Sequence, residues 1–102
     1  MSVESDFVAA ARQHRVCRIT DASGSSREVE PYMVYISPKG KRLFHCFQLR
    51  GFSESGKPIG WKNPEVASFL RAEQLAGTFS IRPEYNPGNT KMFPEIIFSL
   101  PK

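Results

Sequence analysis

A chain of 102 residues has room for one hydrophobic core and excludes a catalytic domain beside a separate regulatory one. Its 40% apolar and 24% charged residues, with twelve aromatics, exclude a disordered polymer, and no run approaches the roughly 18 to 20 apolar residues of a membrane helix. The net charge of +4 is local: residues 31 to 62 hold six Lys or Arg against Glu54 alone, which points to an anionic partner or to a solvated basic face.

The opening MSVESD lacks a basic stretch followed by an apolar one, so no secretory leader is expected and the protein is placed in the cytoplasm, away from membranes. A helix is predicted over about residues 3–14. Ser2 or Ser5 caps it, Glu4 and Asp6 occupy its first turn, and Arg12 and Arg15 complement its dipole at the far end. Phe7, Ala10, Ala11 and His14 share a face, the stripe that would lie on a sheet.

From Arg15 the period changes to two. Strands are predicted over about 15–20 and 27–36, separated by the turn-forming DASGSS (Asp21 to Ser26). Pro31 cannot donate to a ladder, which places the second strand at an edge or at a bulge. SPKG (Ser37 to Gly40) closes a hairpin into a third strand over 41–49, apolar on both faces and so covered on both. RGFSESGKPIG (Arg50 to Gly60) is longer than a tight hairpin requires.

Beyond it, Asn63-Pro64-Glu65 followed by Val66, Phe69 and Leu70, with Gly77 as a stop, reads as a helix over 64–76. Arg82 to Asn89 forms an irregular turn, its Pro87-Gly88 suited to the centre of a type II turn. A last strand is predicted over 94–100.

Catalytic machinery is not evident. His45 and Cys46 are adjacent on a strand and therefore point to opposite faces, which separates a nucleophile from its base. Cys17, Cys46, His14 and His45 lack the short ligand spacing of a zinc site. The two cysteines read as buried thiols of a reducing compartment. Glu28 and Glu30 share a strand face and read as a solvated stripe. No phosphate-cradling glycine motif is present. The expectation is a non-enzyme with no metal and no cofactor.

One constellation remains on the third strand and the long loop: Arg42, Phe44, Arg50, Ser53, Ser55, Gly56, Lys57, Trp61 and Lys62. Cations neutralise phosphate, small residues let backbone N–H groups approach it, and Phe or Trp rings offer a stacking face for a base. The bland reading puts Phe44 and Trp61 in the core and leaves the cations as ordinary surface.

The order of helix, short strand, turn, REVEPYMVY (Arg27 to Tyr35), LFHCFQLRG (Leu43 to Gly51), FSESGKPI (Phe52 to Ile59), GWKN (Gly60 to Asn63) and IRPEYNPGN (Ile81 to Asn89) resembles the WYL domain of bacterial regulators, and most closely its short stand-alone versions. The resemblance covers nearly the whole chain. It implies a mainly β fold, a small Sm-like or SH3-like barrel with an N-terminal amphipathic helix, and turns the reading of Pro64 to Phe69 from helix to strand, giving a strand over about 60–69.

WYL domains are thought to sense ligands or bind nucleic acid, usually fused to a DNA-binding domain. This sequence departs from the pattern in two places. The name-giving tripeptide falls near Arg42-Leu43-Phe44, and Glu65, Ala67 and Ser68 stand where the family brings arginines to its ligand face. The expected anion site therefore rests on Arg42, Arg50, Lys57, Lys62 and Arg82. The expected partner is single-stranded nucleic acid or a nucleotide. The alternative is a protein-interaction module that docks on a larger regulator or on itself.

Overall fold

The computed structural model describes residues 2–53 and 56–102. It contains one helix, α1 (Val3–Arg12), and six strands: β1 (Arg15–Asp21), β2 (Ser26–Ile36), β3 (Arg42–Gly51), β4 (Gly60–Lys62), β5 (Phe69–Thr78) and β6 (Glu95–Ser99). The fold is mainly β, as expected. No helix among the described residues is long and apolar enough to cross a membrane.

The helix starts where Ser2 and Ser5 form a reciprocal capping box, each hydroxyl accepting from the other's backbone N–H at 3.0 Å. It stops two residues short of the predicted end. His14 takes a left-handed conformation (φ 53°) that reverses the chain into β1. Asp21 closes the β1–β2 turn by accepting from the Ser23 and Ser25 N–H groups at 2.9 and 3.0 Å, with Gly24 at φ 90°. Gly40 at φ 81° does the same service in the β2–β3 hairpin.

All pairings are antiparallel, in the order β4-β3-β2-β1-β5. β3 runs along one edge of β2, while β1 (at Ser26 to Val29) and β6 (at Met33 to Ile36) divide the other edge between them. β2 is thus the central strand, and Pro31 sits at a register shift of the β2–β3 ladder, where its missing N–H costs least. Gly51 has φ 110°, and a Cβ there would overlap the Ser26 carbonyl and approach Arg27 Cα to 2.7 Å; only glycine fits this close crossing.

Four expectations are corrected. The sheet is not closed into a barrel, because β4 and β5 stand at opposite ends of the strand order with no pairing between them among the described residues. Residues 60–69 are not one strand: β4 ends at Lys62, Val66–Ser68 is a single 3-10 turn, and a strand the sequence reading missed begins at Phe69. That strand also replaces the helix read over 64–76. The Asn86–Asn89 turn is closed by the Asn89 N–H on the Asn86 carbonyl at 3.2 Å, but Gly88 has no positive φ, so the turn is not type II.

Two apolar clusters flank the sheet. One joins Phe7 and Ala10 of α1 to Cys17, Ile19, Val29, Val34, Phe44, Cys46 and Phe69. The other is aromatic, with Tyr32, Tyr35, Tyr85, Phe93 and Leu100 at its centre and Phe47, Trp61 and Phe79 packed against them. The irregular segment between β5 and β6 closes this second layer through buried Tyr85, whose hydroxyl donates to the Leu100 carbonyl at 3.0 Å.

Candidate ligand-binding cleft

The cations anticipated from the sequence do not converge. Arg42, at the start of β3, makes a two-point ion pair with Glu4 at 2.5 and 3.0 Å, stapling the helix N-terminus to the sheet. That bond holds the Glu4 carboxyl below its ordinary range. Arg50 pairs with Glu28, which also accepts from Arg18 at 3.2 Å. Arg82 clasps Glu30 at 2.8 and 3.1 Å and lies 3.6 Å from the Phe47 ring centre.

Glu30 is only 6% exposed, so the acidic pair on β2 is not a solvated stripe. Its two members anchor arginines from three other segments of the chain.

The two aromatic candidates also part. Phe44 is fully buried and stacked on Phe7 with ring centres 4.0 Å apart, so it presents no face to a ligand. Trp61 is half-buried in the aromatic layer, stacked on His45 at 4.9 Å and 9° and packed against Tyr32 at 4.9 Å. His45 Nδ1 donates to Asn63 Oδ1 at 2.8 Å, and the Tyr35 hydroxyl donates to the same oxygen at 3.0 Å. Burial lowers the His45 pKa despite that bond.

Ser53, Lys57 and Lys62 do come together. Lys62 Nζ donates to the Lys57 carbonyl at 2.7 Å and to Ser53 Oγ at 3.3 Å, and Ser53 Oγ donates to the Lys57 carbonyl at 3.1 Å. Ser55 lies outside the described residues. This knot borders a cleft of about 710 Å³ between the β1–β2 turn and the segment following β4.

The residue that defines the cleft is Arg27, which was absent from the sequence-derived set. β2 carries it two positions before buried Val29, in phase with the core face, so its side chain runs inward. Its guanidinium lies over Phe52 and Phe69, 5.6 and 5.5 Å from the ring centres. Nε is buried with no hydrogen-bond partner among the described residues. A basic residue in phase with apolar ones on a strand is the signal that could have found it. Ser23, Ser53, Lys62 and Ser68 add hydroxyls and a second cation, while Asp21 and Glu65 add carboxylates.

Chemically, this arrangement can hold an anion with hydrogen-bonding groups on its other side. Burial pushes both the Cys17 and Cys46 thiols up to about 12, far from the thiolate that a nucleophile requires. Among the described residues no three His, Cys, Asp or Glu side chains gather as metal ligands. Compared with protein-family models, with curated proteins and with solved structures, the chain matches none.

Proposed function

We propose that the protein is a non-catalytic, WYL-like regulatory module that binds an anionic ligand, of nucleotide size, in the Arg27 cleft. The observation that carries this reading is the Arg27 guanidinium, half-buried against two rings and, among the described residues, short of a partner at Nε. A buried donor left unsatisfied costs about 1–3 kcal/mol, and an anion drawn into the cleft by the guanidinium charge would recover it once a small turn of the side chain brings Nε, now closed to solvent, to the cleft. A volume of about 710 Å³ suits a small molecule. Asp21 and Glu65 on the cleft wall favour a ligand that also carries donors, such as a base amino group or sugar hydroxyls.

The fold reading that goes with this function is an opened version of the small Sm-like or SH3-like barrel, with the helix covering one side. Unpaired, buried Cys17 and Cys46 fit a reducing cytoplasmic setting. Single-stranded nucleic acid would use the same cations through a terminal phosphate and one nucleotide.

Calorimetric titration at low salt with nucleoside 5′-phosphates and with a short oligothymidine tests the reading. Micromolar binding of a mononucleotide, weakened about tenfold or more by Arg27→Gln and unchanged by Arg50→Gln, is the expected result. Absence of binding by every probe at about 20 mM salt, where phosphate contacts are strongest, would remove it.

A further inference from the structure

A different region carries a second, independent reading. β5 pairs with β1 along one edge only, and its other edge has no strand partner among the described residues. At ten residues it is the longest open edge of the sheet, against three for β4 and five for β6. It contains neither Pro nor Lys, the residues that commonly guard such edges. Leu70, which the ladder with β1 skips between Phe69 and Arg71, is 70% exposed.

We propose that β5 pairs with β5 of a second copy of this chain, antiparallel about a two-fold axis at Ala72. The register follows from charge. Centring on Ala72 sets Arg71 of each copy opposite Glu73 of the other, Leu70 opposite Gln74, and Phe69 opposite Leu75. Moving the axis to Arg71 puts two guanidinium groups face to face, and moving it to Glu73 does the same with two carboxylates. Opposite charges across a strand pair stabilise it, and like charges oppose it.

Arg71 and Glu73 are now 3.6 Å apart within one chain, with side chains 67% and 48% exposed, so little is lost when they exchange partners. The joined sheet would run without interruption through both copies. It would cover part of the Leu70 side chains, which are otherwise largely exposed. Such strand pairing alone is a small interface, and the dimer is expected at roughly 10–100 µM.

Sedimentation equilibrium on the full chain across that concentration range tests the pairing. Arg71→Glu and Glu73→Arg should each weaken the dimer about tenfold or more, since each turns two attractive pairs into repulsive ones. Combining the two swaps should restore it, because the complementarity is kept in reverse. Both side chains are exposed, and unchanged far-UV circular dichroism would show that folding is intact. Amides of β5, and not of β6, should gain hydrogen-exchange protection as concentration rises. A chain that stays monomeric to about 1 mM, a dimer indifferent to the single swaps, or a double swap that restores nothing would each overturn the proposal.

Discussion

The two faces of the sheet are held by different physics. Beneath α1 the contacts are aliphatic, thiol and phenyl, with Phe7 stacked on Phe44, and almost nothing there needs a directed bond. On the opposite face the three tyrosines carry polar tips that reach other segments. The Tyr32 hydroxyl donates to Glu30 at 3.3 Å and accepts from the Arg82 N–H at 3.0 Å, and the Tyr85 hydroxyl donates to the Leu100 carbonyl.

A face built on volume resists loss of atoms, whereas one built on direction resists sliding. This explains how residues 79–94, with no helix or strand, stay fixed to the sheet. Lys102 extends the same logic, donating to the Pro83 and Tyr85 carbonyls.

The sharpest break in the comparison comes from the volume-built side. Phe7→Ala empties the space over Phe44 and should cost about 3–5 kcal/mol, measured by urea denaturation with the slope unchanged. Tyr32→Phe removes no volume but strips Glu30 and the Arg82 N–H of a shared partner. Its cost should be smaller, about 1–3 kcal/mol, and localised: hydrogen exchange should quicken at residues 80–85 and stay as it was in β1. Uniform acceleration would mean that the two faces are one cooperative layer.

The smallest effect concerns pH. His45 has a pKa lowered from 6.5 by burial, so the unfolded chain takes up a proton that the folded one refuses. Its contribution is fully present above pH 6.5 and declines as pH falls through and below that value, with a slope of at most about 1.4 kcal/mol per pH unit. The difference between the wild-type chain and His45→Gln, followed from pH 8 to 5, isolates it from the carboxylates; parallel curves would refute the assignment.

The elements whose signals are local were legible in the sequence: the serine cap, the DASGSS and SPKG turns, and the first three strands. β5 was not, and the reason is specific. Its buried residues are Phe69 and Ala72, with Leu75 half-buried, a spacing of three that imitates a helix. The first interval arises because the β1 ladder skips Leu70, adding one residue to the two-residue period, and Leu75 falls in the ladder's second irregularity, between Gln74 and Thr78.

The candidate site was legible only at Ser53 and Lys62. Phe44 could not be told from a ligand-facing ring because β3 is apolar on both faces, and its cover, Phe7, lies 37 positions away. The pairings of Arg42 with Glu4 and of Arg82 with Glu30 span 38 and 52 residues, distances over which one sequence carries no record of contact.

The division of one β2 edge between β1 and β6 bears on how the chain is made. As synthesis proceeds from the N-terminus, β1, β2 and β3 can assemble early, being joined by short turns. The stretch Met33 to Ile36 then keeps an open, apolar edge until residues 95–99 leave the ribosome. For the whole of that interval the nascent chain carries a sticky strand that only its own last strand can cover. Chaperone demand should therefore depend less on the stability of the finished protein than on the time taken to translate the stretch from residue 52 to residue 94.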